Sequence, residues 1–504
     1  MVHSRPRLFL IWGLLILFFA LLSFDGNTHW DGTNYLYKSA FSNFDLDDNW
    51  IHYSGGFYSG RIFHILVLRS LFLISGVGIG PLIFVQLVMA VFIVGAGWLF
   101  SRTLKEMGCR RPIPDFGLVA FLFLPLSLYL GYKSLAETTA VLFTALSLYL
   151  FFAGIRKPAT TGNVFLVLST ISLFLASNAR VECLLGFAAV TLPYLCFQTG
   201  QRISTFRGLV LVGAVWLVLT AALGFSTGIW SLEFMLRRSE VYGAKFAADS
   251  LDYLPNPVVA ILFGGGLWVF VLLSLAGLRR REVKIAWTGL IISMVPIALL
   301  ADHTELRYYN PAVFSFALAT ALGLRASYGW LNRKLSRLSA GLVTTALFCA
   351  MVAGNQLFRP LQEVGTRGLS LVRLINRVKK SYPDPLVLTA HPHSTYSFLR
   401  ICYPEMRIAL DRDFEGLAPI KAREPEELAG LGKPWIYLSS RGPKERPLLT
   451  KILHRLRGRE PVSVEGRPVI VTSWLSSPAP FSLELVDGEG GYLVFEIEAA
   501  VGRQ

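Results

Sequence analysis

Asp25-Gly-Asn-Thr-His29-Trp30-Asp31-Gly32-Thr-Asn-Tyr35-Leu36 follows directly on an apolar run that begins near Leu8. An acidic stretch, Asp45-Leu-Asp47-Asp48, comes next, and the segment closes at Arg61. Five aspartates therefore stand between positions 25 and 61, while acids are scarce in the rest of the first hundred residues. A carboxylate at a membrane face costs free energy unless water, a cation or a partner attends it. The pattern sets an apolar anchor first and a polar outer loop second, and the remainder of the chain repeats it.

The whole chain is apolar enough to be polytopic. Of its 504 residues, 53% are hydrophobic and only 16% charged, and mean hydropathy is +0.51. Such a composition excludes an ordinary soluble globule. At roughly 20 apolar residues per crossing, spans are expected to begin near Leu8, Pro81, Phe116, Ala136, Val164, Leu184, Gly208, Val258, Ile285, Pro311 and Gly341. That makes about eleven transmembrane helices by the same length rule. The first is read as a retained anchor, because Ser23-Phe24-Asp25 is a poor cleavage site.

Basic residues give the orientation. Clusters at Arg5/Arg7, Arg102/Lys105/Arg110/Arg111, Arg156/Lys157, Arg202/Arg207, Arg279/Arg280/Arg281/Lys284 and Arg325/Arg333/Lys334/Arg337 fall in alternate loops and mark the cytoplasmic side. The net charge of +15 is divided among those loops and forms no single face, which excludes a nucleic-acid binder. The alternation holds only if 61–80 does not cross. Arg61, His64 and Arg69 among apolar residues suggest an amphipathic helix lying in the interface there. Hydropathy drops after about Arg359. Residues 1–360 are thus expected to form a mainly α, polytopic membrane domain, and 361–504 a soluble extracytoplasmic α/β domain. In the latter, helices are expected at Gly365–Lys380 and Lys451–Arg457. Strands are expected at Leu386–Ala390, Trp435–Leu438, Val469–Thr472, Phe481–Leu485 and Tyr492–Ile497.

Each outer loop pairs a cation with an acid. After the first come Tyr132-Lys133-Ser134-Leu-Ala-Glu137, then Asn178-Ala-Arg180-Val-Glu182, then a longer loop with Arg237, Arg238 and Lys245. Last is Asp302-His303-Thr-Glu305-Leu-Arg307-Tyr308-Tyr309-Asn-Pro311. In any one loop, charges at span ends simply solvate the helix terminus. Several such loops on one face point to an anion site, and the planar fork of Arg suits phosphate. Lys133, Glu137, Arg180, Arg237, Glu305, Arg307, Tyr308 and Arg61 are the candidate binding residues. Asp47 and Asp48 could hold a divalent cation, Mg2+ or Mn2+; no other cofactor is indicated. His391-Pro-His393 lacks ligand partners nearby, and Gly264-Gly265-Gly266 reads as close helix packing.

An acid just past the first span followed by Tyr-Leu, as in Asp31-Gly-Thr-Asn-Tyr35-Leu36, resembles the GT-C class of integral-membrane glycosyltransferases, among them mannosyl- and arabinosyltransferases. Ser134–Glu137, Arg180-Val-Glu182 and Glu305-Leu-Arg307-Tyr308-Tyr309-Asn-Pro311 extend the resemblance along most of the chain. One position departs from it: many members carry a second acid after the first, and here Gly32 stands there. The resemblance implies a hexosyl- or pentosyltransferase of cell-envelope glycan biosynthesis; a bacterial inner membrane is expected from the short basic start and the lack of eukaryotic retention signals. It would move a sugar from a polyprenyl-phosphate donor to a glycan, lipid or protein acceptor at the outer face, with inversion. Asp31, helped by Asp25, would be the base. A transporter or flippase, or a polymerase or ligase for lipid-linked saccharides, is the alternative; mid-span acids or paired half-helices would favour transport.

Overall fold

In a computed structural model the described residues of the protein are mostly helical, with one sheet among them near the C-terminus. The structure describes residues 30–41, 61–132, 135–227, 261, 263–300, 306–356, 368–382, 384–389, 395–410, 435–440, 481–489 and 492–499. The chain divides into two compact units. One comprises 1–20, 42–67 and 86–362, the other 21–41, 68–85 and 363–504.

The first helices are α1 (Trp30–Phe41), α2 (Ile62–Ser75), α3 (Ile79–Glu106), α4 (Ile113–Leu122) and α5 (Pro125–Tyr132). They are followed by α6 (Ala136–Gly154), α7 (Ala159–Ser177), α8 (Cys183–Phe197) and α9 (Arg202–Thr227). After these come α10 (Trp268–Leu273), α11 (Arg281–Leu300), α12 (Val313–Leu331) and α13 (Arg337–Gln356). Among the described residues α3, α6, α7 and α9 are long and apolar enough to cross a membrane, and α4 with α5 makes a fifth if counted together.

The centre of the larger unit is α12. Every residue from Val313 to Leu324 is buried, and the helix packs against α4, α10, α11 and α13. A helix that is apolar all round belongs inside. Its neighbours come close because the contact positions are small, the usual device where lipid removes the hydrophobic drive between helices. A Cβ on Gly323 would lie 1.7 Å from the Phe270 carbonyl oxygen, and one on Gly289 of α11 would lie 2.3 Å from both Ala189 O and Ser315 Oγ. Between α6 and α7 the fit is polar. Ser147 Oγ donates to Ser169 O at 2.9 Å and Ser169 Oγ donates back to Ser147 O at 2.8 Å.

Two sequence expectations change. The span expected from Phe116 is broken: α4 and α5 meet at 59°, because Pro125 has no N–H to continue the ladder and restricts Leu124 before it. The 61–80 helix is not amphipathic in the sense expected. Its exposed large side chains are Leu66, Leu73 and Ile74, whereas His64 is fully buried. Arg69 is spent on the carbonyls of Ser39 and Ala40, each at 2.9 Å. At 14 residues and about 1.5 Å per residue, α2 is also too short to cross a bilayer.

In the second unit, α14 (Gly368–Ser381), β1 (Leu386–Thr389), α15 (Ser397–Cys402), β2 (Ile408–Leu410), β3 (Trp435–Ser440), β4 (Phe481–Glu489) and β5 (Tyr492–Ala499) follow in order. The sheet order is β2-β1-β3-β5-β4. β1 pairs in parallel with β2 and β3, and β5 antiparallel with β3 and β4. On α14 the buried Leu371, Leu374, Ile375 and Val378 recur at helical spacing, which makes one apolar stripe. The strand expected at 469–472 and the helix at 451–457 lie outside the described residues, and β2 is too short for its pattern to show in the sequence.

Replacing Gly323 by Ala is expected to lower stability by about 1–3 kcal/mol, seen as an earlier melting transition in detergent. Gly329, on the same helix with nothing within 4 Å of a Cβ, is expected to accept Ala unchanged.

Candidate active site

Three chain segments, each at a helix end, bring four charged groups together. Glu137 lies in the first turn of α6. Arg180 and Glu182 sit in the turn between α7 and α8, where Arg180 N donates to Ala176 O at 2.8 Å and Cys183 N to Arg180 O at 3.2 Å. Arg307, Tyr308 and Asn310 belong to a 3-10 turn, Leu306–Ala312, that leads into α12. Gly186 of α8 lets this turn seat closely, since a Cβ there would stand 3.2 Å from Pro311 Cα.

Glu137 is the shared partner. Arg180 donates from Nε to Glu137 Oε1 at 2.9 Å and also makes a second, shorter contact from Nη2. Arg307 Nε faces the same oxygen at 3.8 Å. Arg180 Nη1 is 3.5 Å from Glu182 Oε1. Glu137 has no exposed surface, and Arg180 and Arg307 are about 95% buried. The Tyr308 ring lies beside both cations, 5.6 Å from Arg180 Cζ and 5.5 Å from Arg307 Cζ. Attraction and repulsion are both magnified where water is excluded. Two guanidinium groups and two carboxylates, Glu137 and the partly exposed Glu182, balance in charge, and the forked N–H donors of the arginines are what the cluster offers an anion. Among the described residues, Glu137 Oε2 and Asn310 Nδ2 have no hydrogen-bond partner. One accepts and the other donates, which is the pair a hydroxyl-bearing ligand needs.

The start of α2 joins this region. Phe63 N donates to Asn178 O at 3.2 Å, and His64 Nδ1 shares a 2.8 Å hydrogen bond with Thr139 Oγ1. Arg61, just before α2, is buried.

Of the residues singled out from the sequence, Glu137, Arg180, Arg307 and Tyr308 come together. Cation and acid meet both within one loop, as Arg180 with Glu182, and across loops, as Glu137 with Arg180 and Arg307. Asp31 falls in the first turn of α1, in the other compact unit. Asp25, Asp47, Asp48, Lys133, Arg237 and Glu305 lie outside the described residues. No group of three or more His, Cys, Asp or Glu side chains able to hold a metal occurs among the described residues. Sequence reasoning overlooked Thr139, Asn310 and Gly186, and read His64 only as part of an interfacial helix. Only Asn310, next to Pro311 in the last outer loop, left any signal.

No family model matches this sequence, and no curated protein is similar to it. Solved structures are. ArnT from Cupriavidus metallidurans in the apo state superposes with a TM-score of 0.54 at 13% identity, over 98% of this chain and 99% of that one. The same protein bound to undecaprenyl phosphate gives 0.52 at 14% identity, with the same coverage. The fold is that of ArnT. The mainly helical architecture expected from the sequence is the one found, and its likeness to ArnT is one of fold. An oligosaccharyltransferase from Archaeoglobus fulgidus in the apo form gives a TM-score of 0.46 at 13% identity, over 84% of this chain and 69% of its own.

Because Glu137 neutralises two buried arginines, Glu137→Ala is expected to destabilise the ArnT-like fold by about 3–5 kcal/mol, whereas replacing the set together, Glu137→Leu with Arg180→Met and Arg307→Met, is expected to cost much less. Thermal unfolding of the three proteins in one detergent reads the difference, and a multiple variant no more stable than Glu137→Ala would contradict it.

Proposed function

We propose that this chain transfers a sugar from a polyprenyl-phosphate donor to a glycan, lipid or protein acceptor at the outer face of a bacterial inner membrane. The observation that carries the reading is the buried Arg180–Glu137–Arg307 cluster beside Tyr308. A dry site of two guanidinium groups suits a phosphate better than any neutral group. The ArnT-like fold supports it, since one ArnT structure holds undecaprenyl phosphate.

In this reading about eleven spans, counted at roughly 20 residues each, form a membrane domain over 1–360, and 361–504 form an extracytoplasmic α/β domain. The acceptor hydroxyl gives its proton to Asp31, with Asp25 in support. Its oxygen bonds to the anomeric carbon from the face opposite the phosphate, and the anomeric C–O bond breaks with its electron pair kept by the polyprenyl phosphate. The configuration inverts. A phosphate leaving group needs charge neutralisation rather than a proton, and Arg307, Arg180 and Lys133 supply it. Glu137 Oε2 and Asn310 Nδ2 offer an acceptor and a donor to a sugar hydroxyl. Arg61, Arg237 and Glu305 complete the binding residues. Asp47 and Asp48 are the residues that would hold Mg2+ or Mn2+, and no step is routed through that ion. Hexosyl and pentosyl donors both satisfy this chemistry.

Among the described residues, the break between α4 and α5 is a feature a transporter would share. Both halves are apolar, however, and the buried charges gather at helix ends.

Membranes carrying the wild type are expected to transfer label from one member of a panel of polyprenyl-phosphate sugars. Asp31→Asn is expected to abolish that transfer while the protein stays folded; equal transfer by both would remove Asp31 as the base. Replacing Arg307 by Ala is expected to lower kcat about 10²- to 10³-fold, with Arg307→Lys recovering only part, because Lys lacks the fork. Solute movement without any transfer would replace the enzyme by a transporter.

A further inference from the structure

We propose that the C-terminal part of the chain acts as a clamp on α1, the helix whose first turn contains Asp31, with Tyr396 and Arg400 as positioning residues. The proposal rests on the reading of Asp31 as the base and adds to it a duty for residues more than 360 positions away.

A 12-residue helix is marginal in water on its own, and α1 also carries Gly32, Thr33 and Asn34 in its first half. Its order must come from what it packs against. Thr33, Tyr35, Leu36 and Ser39 are each fully buried, and α1 lies against α15. The ring of Tyr37 is 5.9 Å from that of Tyr396, itself fully buried, and 5.2 Å from that of Phe41. The guanidinium of Arg400 stands over the Phe41 ring at 5.7 Å. Arg400 is held in turn by the carbonyls of Pro404 and Met406, at 3.3 and 3.2 Å. At the end of α1, Arg69 donates to two of the last carbonyls, Ser39 O and Ala40 O, which a helix leaves without partners of its own. Burial raises the pKa of both Tyr37 and Tyr396, so the phenol pair stays neutral over the working pH range.

α1 is thus gripped along one side and at its C-terminal end, and those grips fix the direction in which its first turn is presented. A base must be held to within about half an ångström of its working position, so loosening the helix should slow the chemistry without weakening donor binding.

Hydrogen exchange of the full-length protein in nanodiscs reads the grip directly, without any substrate. Amides of α1 are expected to exchange at least tenfold faster in Tyr396→Ala and Phe41→Ala, and at the wild-type rate in Tyr396→Phe, which keeps the ring. With the polyprenyl-phosphate sugar that the wild type uses, the two Ala variants are expected to lose roughly ten- to a hundredfold in kcat with KM unchanged, and Tyr396→Phe to restore it. Unchanged protection of α1 in both Ala variants would overturn the clamp. Faster exchange with kcat intact would overturn the positioning role. If Tyr396→Ala fails to fold, the half-buried Phe41→Ala decides alone. Faster exchange in a protein whose Asp31→Asn form remains fully active would leave the clamp standing and remove Asp31 as the base.

Discussion

A single carboxylate with no exposed surface, Glu137, is met by two guanidinium groups that are themselves almost wholly buried. Each member of this set would be intolerable alone in an apolar surrounding, since an unpaired buried ion costs several kcal/mol. Together they tie the beginning of α6, the α7–α8 turn and the turn that precedes α12. The apolar packing that surrounds α12 is strong but unspecific in direction; the ion cluster demands one arrangement of three helix ends. A purely structural tie would be satisfied by one arginine. The second cation on the same oxygen, with Tyr308 beside both, adds a second guanidinium fork to the tie, and that is the group that suits an anion.

The rest of the larger unit can be understood as what lets those ends meet. Twelve consecutive buried residues make α12 a common wall for α4, α10, α11 and α13. Small residues at Gly289 and Gly323 bring the neighbouring backbones within touching distance, and Gly186 does the same for the turn that carries Arg307. Between α6 and α7 glycines meet as well, Gly154 against Gly162, and reciprocal serine hydrogen bonds hold the pair further along. Dispersion and hydrogen bonding must provide this contact, because lipid is as apolar as the side chains it would replace.

The smaller unit joins segments far apart in the chain. Its sheet and α14 follow ordinary α/β logic, with an apolar stripe on the helix and β1 between two parallel neighbours. It also gathers α1 and the middle of α2, so that Arg69 ends one helix from within another. Residues 30–41, which look like part of an isolated outer loop in the sequence, are thereby part of a packed body.

Much of this was legible in the residues. A bilayer imposes a length and a hydropathy on every crossing, so the helices near Pro81, Ala136, Val164, Leu184, Gly208, Ile285, Pro311 and Gly341 could be read from local composition, as could the stripe on α14. The loops carrying Glu137, Arg180 and Arg307 could be found for the same reason, charge being conspicuous beside apolar runs. Even the bend after Leu122 had its signal in Pro125, which hydropathy alone passes over. Tertiary structure decided which charges share a partner. Glu137 and Arg180 are 43 residues apart, and no helical or strand periodicity relates positions so distant. It also turned His64 and Arg69 away from solvent, because whether a polar side chain on a short helix meets water or another helix depends on what the remainder of the chain places beside it.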